Sequence, residues 1–324
     1  FNRRPFINMM FQCFKNQTYP KDRMEWIIVD DGDDKIEDLI KKSGISQIKY
    51  FPVKKKMKLG EKRNFIHSKT KGDFLVYMDD DDYYPPERVQ HAIDVLEQNP
   101  GALCAGSSEL YLYFKHINQM YQSGPFGPTH STAATFAFRR SLLNYTQYDD
   151  NAALAEERSF LKEYTIPFVQ LDPMKSILVF SHDHNSFDKK KMLHMGENDK
   201  FKKSSKKVRD FIKTKNEEPI YQFFMNDIDK ILQSYTAGSP KNKPDVLKQM
   251  DEINEERKKM ELANQQGASI MIDVSGQGKR KLSPQEIITT LTQQQNQIKF
   301  LIQKVKELEN HVLQTQLQLA SVQK

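Results

Sequence analysis

Short apolar runs alternate with helical stretches through residues 1–188, and this alternation limits the fold more than any other feature. The strand-like runs are WIIVDDG, IKYFPV, FLVYMDD, GALCAGSSELYLYF and SILVFSH. One intervening stretch, PPERVQHAIDVLEQNP, places Val89, Ile93 and Leu96 on one helical face, with proline near both ends. Strands that alternate with helices predict an α/β domain whose mixed, mainly parallel sheet is flanked by helices.

The size and charge of the chain narrow its possible functions. Its 324 residues are enough for one large domain with appendages, or for about two domains. Lys and Arg number 49 against 43 Asp and Glu, which argues against nucleic-acid binding but is compatible with a small phosphate-bearing ligand. No apolar run is long enough to cross a bilayer, which favours a cytoplasmic location.

The sequence changes in character after residue 188. A basic linker and helical extension occupy 189–265, a Gly- and Ser-rich flexible loop is predicted for 266–284, and a heptad repeat fills 285–324. The repeat has apolar a positions at Leu291, Ile298, Val305, Val312 and Leu319, and apolar d positions at Ile287, Leu301, Leu308 and Val322. It predicts a coiled coil that joins copies of the chain into a homo-oligomer through residues 287–322. The alternative is a single helix lying on the α/β domain.

Four consecutive aspartates, Asp79 to Asp82, follow the apolar run FLVYM. At the carboxyl end of a strand in an open α/β sheet they would lie where such sheets bind ligands. Adjacent carboxylates repel each other, and burial would raise their pKa values unless a cation offsets the charge. Oxygen ligands of this kind favour Mg²⁺ or Mn²⁺, which commonly bridge to phosphates. The alternative role is capping of the next helix, for which one or two aspartates would suffice.

A second acidic turn, in WIIVDDGDD, places Asp30 and Asp31 at the end of an earlier strand. A carboxylate there can accept hydrogen bonds from a nucleobase or from ribose hydroxyls. Between the two acidic turns, Gly60 would let the backbone approach a ligand, and Arg63 offers a planar fork to phosphate or a pyrimidine edge.

Three segments in this order carry a family resemblance: NRRPFINMMFQCFKNQTYP, WIIVDDGDD and GEKRNFIHSKTKGDFLVYMDDDDYYPPERV. Together they resemble the nucleotide-sugar half of a family 2 glycosyltransferase, which has the Rossmann-like GT-A fold. The resemblance covers about residues 1–186. Family members begin with a strand and a turn that this sequence enters only at Asn2. Because the sequence also starts with Phe1 rather than Met, we expect a piece of a longer protein that lacks the first strand.

The resemblance implies roles for the acidic residues. Asp31, beside Asp30, would contact the nucleobase. Asp79, Asp80 and Asp81 match the family's D-x-D motif, which holds the ribose and the metal-bound diphosphate. Asp80 is then assigned to the donor, Asp79 and Asp81 to the metal, and Asp82 is left to cap the following helix.

The resemblance also implies an acceptor side. GPFGPTHSTAATFAFRRSLL resembles the family's acceptor loop followed by a strand. NAALAEERSFLKEY resembles the segment that carries the catalytic base, which assigns that role to Glu157, with Glu156 as the alternative. The family usually has Asp there, and an ordinary charged helix is the competing interpretation. In VFSHDHNSF, His184 is assigned to the metal or the diphosphate, against a structural role.

The predicted function is metal-dependent, inverting transfer of a sugar from a nucleoside-diphosphate sugar to a hydroxyl acceptor. We expect a UDP-sugar donor and a glycan, protein or lipid acceptor. The alternative is a catalytically inactive GT-A-like binding or scaffold module that the coiled coil oligomerises.

Overall fold

The computed structural model describes residues 1–154, 157–194 and 196–265, together with part of the sequence between residues 271 and 312. The chain divides into two compact units, Phe1–Ile253 and Asn254–Lys324. Apart from short 3₁₀ turns and a π-helical segment at Phe223–Asp227, the helices up to residue 265 are α1 (Arg4–Asn16), α2 (Glu37–Ser43), α3 (Leu59–Lys69), α4 (Arg88–Gln98), α5 (Glu157–Phe160), α6 (Lys191–His194), α7 (Glu218–Gln222), α8 (Ile228–Ser234) and α9 (Pro244–Gln265).

The strands of the first unit form three small sheets. In chain order they are β1 (Trp26–Asp30), β2 (Ile48–Pro52), β3 (Phe74–Val76), β4 (Cys104–Gly106), β5 (Leu110–Phe114), β6 (Gln119–Ser123), β7 (Ala137–Arg139), β8 (Phe168–Gln170), β9 (Leu178–Ser181) and β10 (Phe201–Lys203). The sheet orders are β1-β2, β3-β7-β4-β8 and β10-β6-β5-β9.

The mixed α/β class is confirmed, and the pairing corrects one part of it. Parallel pairs join β1 to β2, β4 to β8 and β5 to β9. Antiparallel pairs join β3 and β4 to β7, and β5 and β10 to β6. The described sheets are therefore not mainly parallel, because β7 inserts between two strands and β6 returns from β5 as a hairpin.

The first unit extends well past the boundary predicted at residue 188. β10 pairs with β6, although its sequence is basic and was expected to form a linker. The helical region from α7 to α8 buries Ile220, Phe224 and Ile228, which recur at the spacing of one helical face. The ring of Phe224 stacks on that of Phe180 in β9, with centroids 4.1 Å apart. The helical region thus shares the core that positions the end of β9.

Polar residues of the candidate site lie at or just after the ends of β1, β3 and β9. β1 ends at Asp30, β3 leads into Asp79 through two residues, and β9 is followed by His182. Both α1 and the π-helical segment pack beside this edge, where Phe6 lies 5.0 Å from the ring of His182. Apolar packing behind the strand ends holds these polar groups in fixed positions.

In the second unit the structure differs from the predicted flexible loop at 266–284. Two strands, β11 (Met271–Val274) and β12 (Gly278–Lys281), pair in antiparallel fashion. Gly and Ser predicted a loop throughout this segment. In the sequence they stand between two short strands instead.

Most of the predicted coiled coil, residues 287–322, lies outside the described residues. The residues described between 292 and 308 are helical, and Ile298, Leu301, Val305 and Leu308 are exposed there. None of the helices in the described part of the chain has the length and apolar character that crossing a bilayer requires.

Candidate active site

Asp30 and Asp31 end β1, and their carboxylates have different surroundings. Asp30 Oδ1 accepts a hydrogen bond from Gly32 N at 3.0 Å. Its Oδ2 accepts from Ile36 N at 3.0 Å and from Tyr50 Oη at 2.7 Å. Since both oxygens are used within the chain, Asp30 shapes the turn that presents Asp31.

Asp31 is buried and forms a compact charged contact with α3. Its carboxylate accepts a hydrogen bond from Met57 N at 2.9 Å and pairs with Lys62 Nζ at 2.6 Å. Burial alone would raise the pKa of Asp31, but Lys62, the amino terminus of Phe1 at 3.3 Å and the Met57 N–H outweigh it and keep the pKa below its usual range. The sequence analysis overlooked Lys62, although it stands between the two residues singled out on α3, Gly60 and Arg63.

Arg3 binds two of the four consecutive aspartates. Its Nε donates to Asp80 Oδ1 at 2.7 Å, and its Nη2 forms an ion pair with Asp81. The guanidinium also donates to the carbonyl of His184 at 3.2 Å and lies over the Phe6 ring at 4.4 Å. The cation that the crowded carboxylates were predicted to need is, in this structure, an arginine. Its presence was missed because nothing in NRRPF links it to residues 77 positions away.

Asp81 also contacts the segment after β9. Its Oδ2 lies 3.3 Å from His182 Nε2 and 3.4 Å from Asn185 Nδ2. Burial would raise the pKa of Asp81, but Arg3 and His182 hold it well below its usual range. The sequence analysis assigned His184, whereas His182 is the histidine whose side chain contacts the acidic motif.

Asp82 does not cap α4 as predicted. Glu87 occupies the N-cap position of α4, and the free amide of Val89 in its first turn donates to Gln17 Oε1 at 3.0 Å rather than to Asp82. Asp82 Oδ1 instead accepts from Phe180 N at 3.0 Å, because the residue after it bridges to β9. Burial, with the nearby charges of Asp81 and Asp79, raises the pKa of Asp82 to about 8. The repulsion expected for this motif is therefore relieved by neutralising one of its members.

The donor types at this edge fit a hard divalent cation. Carboxylate oxygens suit Mg²⁺ and Mn²⁺, and His184 Nδ1 is buried with no hydrogen-bond partner among the described residues. In that part of the chain, however, no group of three His, Cys, Asp or Glu side chains is arranged to hold a metal ion. Arg3 lies on Asp80 and Asp81 and would have to release Asp81 before a cation binds there.

Glu157 connects to the acidic motif through one turn of the acceptor-loop region. Its Oε1 accepts a hydrogen bond from Ala133 N at 3.2 Å. The neighbouring carbonyl of Ala134 accepts from Tyr84 Oη at 3.0 Å, and that hydroxyl in turn accepts from Asp79 N at 2.7 Å. A short relay of backbone and phenol groups thus joins the predicted base to the predicted donor motif. Glu156, the alternative base, lies outside the described residues.

Arg63 lies between two aromatic rings rather than in open space. Its guanidinium carbon is 4.9 Å from the Tyr77 ring centroid and 5.1 Å from that of Tyr148, and its Nη1 donates to Tyr148 Oη at 3.3 Å. Such stacking fixes the plane of the guanidinium.

Comparison with known proteins gives a family match over just under half of the chain. Residues 1–154 match the family described as Glycosyl transferase family 2. An uncharacterized glycosyltransferase of Haemophilus influenzae is 30% identical over 100 residues, which is 31% of this chain and 33% of that protein. The chain thus spans about a third of the length of this curated relative.

Two solved structures of glycosyltransferases are similar at low identity. S. aureus TarS 1–349 has a TM-score of 0.42 and 18% identity, over 56% of this chain and 58% of that one. The mannosyltransferase PcManGT from Pyrobaculum calidifontis, solved with GDP-Man and Mn²⁺, has a TM-score of 0.43 and 13% identity, over 54% and 52% of the two chains.

The family match confirms the predicted enzyme class for the glycosyltransferase domain. It includes Asp31 and Asp79–Asp82, and it ends before Glu157 and His184. The roles of individual residues stay predictions.

Glycine is needed at position 60 for packing within the chain, and not for the approach of a ligand as predicted. A Cβ atom at this position would lie 1.8 Å from the carbonyl oxygen of Asp149, and Gly60 N donates to the carbonyl of Ala152 at 2.9 Å. The space beside Gly60 is filled by the chain itself and is not open to a ligand.

We predict that Gly60→Ala lowers the free energy of unfolding by about 1–3 kcal/mol, because the loop at Asp149 must move away from α3. Gly101→Ala is the matched control, since a Cβ there meets no atom within 4 Å. Urea unfolding of both variants measures the difference. Equal stability of the two variants would contradict this packing.

Proposed function

We propose that the protein transfers a sugar from a nucleoside-diphosphate sugar to a hydroxyl group of a glycan, protein or lipid, with inversion at the anomeric carbon. The observation that carries the proposal is the relay from Asp79 through Tyr84 to Glu157, which joins the donor motif of a glycosyltransferase domain to a carboxylate able to act as a base. The family supplies the reaction class, and the relay supplies the candidate residues.

The donor is assigned to the edge at Asp31 and Asp80. A carboxylate has about four acceptor sites, so the three contacts of Asp31, with Met57 N, Lys62 Nζ and the amino terminus of Phe1, leave room for a nucleobase N–H. Asp80 accepts from Arg3 through one oxygen, and we assign its other oxygen to ribose hydroxyls. The stacked guanidinium of Arg63 suits a pyrimidine edge or a phosphate. The resemblance to the family favours a UDP-sugar, which makes UDP the first ligand to test.

A divalent cation, Mg²⁺ or Mn²⁺, would be held by Asp79, Asp81 and His184. It would supply positive charge to the departing diphosphate. Arg3 would then release Asp81 and bind another anion. The diphosphate of the donor is the anion that substrate binding brings to this position.

The chemical step needs a base for the acceptor. The acceptor oxygen forms a bond to the anomeric carbon while the bond from that carbon to the diphosphate oxygen breaks. The proton of the acceptor hydroxyl passes to Glu157, and the nucleoside diphosphate leaves with the electron pair. Ala133 N donates to one oxygen of Glu157, which fixes the carboxylate while the other oxygen faces the proton.

We predict that Asp81→Asn lowers sugar transfer on the order of 100-fold or more, because the cation that would neutralise the departing diphosphate loses a charged ligand. Release of UDP or GDP from the respective sugars measures transfer, and calorimetry with and without Mn²⁺ measures donor binding. Asp183→Asn is the control, since this exposed aspartate pairs only with Lys190 among the described residues. Normal transfer by folded Asp81→Asn would refute the assignment.

We predict that Glu157→Gln lowers transfer by about 100- to 10,000-fold and leaves donor binding intact, because only proton removal is lost. The exposed Glu163→Gln is the control on the same segment. If Glu157→Gln turns over normally, Glu156→Gln is compared with it, because the role then moves to Glu156. If neither the parent chain nor any variant transfers sugar while all bind nucleotide, the chain is the binding module of the alternative interpretation.

We also propose that residues 287–322 join copies of the chain as a coiled coil, on the strength of the heptad repeat. Ile298 and Val305 occupy a positions and are exposed in the single chain. Apolar side chains repeated every seven residues lose this exposure when a second helix packs on them.

We predict that Ile298→Glu combined with Val305→Glu converts an oligomer into a monomer, because two charges would be buried at the seam. Gln303→Glu, at an outward position, should leave the assembly unchanged. Sedimentation of the whole chain measures its mass in each case. A monomeric parent chain would rule out the coiled coil.

A further inference from the structure

Residues 235–249, which we call the C-terminal strap, cross the edge where β1, β3 and β9 end. At one end of the strap, Tyr235 Oη donates to Asp34 Oδ2 at 2.8 Å. Further along, Asp245 forms an ion pair with Lys56. These anchors lie beyond the family match, yet they hold the strap to the turns that follow β1 and β2.

The middle of the strap touches the candidate site directly. Asn2 Nδ2 donates to the carbonyl of Ala237 at 3.2 Å. A Cβ at Gly238 would lie 2.4 Å from the carbonyl oxygen of Asn2 and 3.1 Å from His184 Nδ1. Only glycine allows this approach, so the strap is in close contact with the candidate site.

Lys243 brings a buried ammonium group to this place. The residue is 6% exposed, and its Nζ has one hydrogen-bond contact, to Ser186 Oγ at 3.4 Å. No carboxylate of the described residues forms an ion pair with it. A buried ammonium is costly unless it is paired, so this position calls for an anion that the protein does not supply.

The neighbouring carboxylates already have cations: Arg3 binds Asp80 and Asp81, and Lys62 binds Asp31. Burial, with the charge of Arg3, lowers the pKa of Lys243 to about 8, while the more distant Asp80 and Asp81 oppose the shift. Lys243 is therefore a buried cation with no directly paired carboxylate among the described residues, because Asp80 and Asp81 bind Arg3 and Asp31 binds Lys62.

We propose that Lys243 binds the diphosphate of the nucleotide-sugar donor and stabilises it as the leaving group, so that the strap completes the donor site. This proposal rests on the proposed function and names a binding residue that the glycosyltransferase domain does not contain. An ammonium group is a compact point charge suited to phosphate oxygens. Positive charge placed beforehand at the departing oxygen favours cleavage of the sugar–phosphate bond.

Calorimetry with UDP, inorganic pyrophosphate and uridine tests the proposal on the whole chain. We expect Lys243→Met to weaken UDP and pyrophosphate about 10- to 100-fold and to leave uridine affinity unchanged. Lys241→Met, at an exposed position of the same strap, should bind all three ligands like the parent chain. Unchanged pyrophosphate affinity of folded Lys243→Met would overturn the role of Lys243 while the transfer proposal stands. Failure of the parent chain to bind UDP would overturn both.

Hydrogen exchange on the parent chain gives a readout that needs no variant to fold. We expect UDP and pyrophosphate to slow exchange of the amides in residues 235–249, because the ligand joins the strap to the site. Uridine, which lacks phosphate, should not do so. Exchange in the strap that is equal with and without pyrophosphate would contradict the contact.

Discussion

The ion pairs between Arg3 and the aspartates after β3 are the interaction on which the site depends. Two adjacent carboxylates at a partly buried strand end repel each other, and a cation that lies against both relieves the repulsion. Arg3 meets both Asp80 and Asp81, and its own burial is acceptable because it has two anions and an aromatic ring beneath it. Asp82, which Arg3 does not contact, is driven toward its neutral form. One run of identical residues thus acquires distinct charges from its surroundings.

Sequence patterns predicted those features that depend on neighbours along the chain. The α/β class, the acidic strand ends and the charged helix α9 follow from local periodicity and turn chemistry. The partners of the acidic residues could not be predicted in this way. Lys62 is 31 residues from Asp31, and only the folding of α3 against β1 brings the two charges together. Nothing in the sequence GEKRN distinguishes Lys62 from the other lysines of the segment.

The errors have a shared physical origin. Asp82 was assigned to a helix because it precedes one in sequence, whereas the chain first bridges to β9 and uses the carboxylate there. Gly60 was assigned to a ligand because glycine permits close approach, and the approaching group is the carbonyl of Asp149. In both cases the chemical property was inferred correctly: Asp82 accepts a backbone hydrogen bond, and Gly60 permits a close approach. Tertiary contacts determine which group is the partner.

The candidate site includes residues that lie beyond the family match. Residues 1–154 hold the acidic turns, but Glu157, His182, Asn185 and Lys243 come from later sequence. These later residues are not appended loosely, because β9 pairs with β5 and the helices after β10 pack on β9. Removing the sequence after residue 154 would therefore expose the core behind β5 and leave Asp81 with Arg3 alone among its described partners. The first compact unit, Phe1–Ile253, accordingly contains all of these residues.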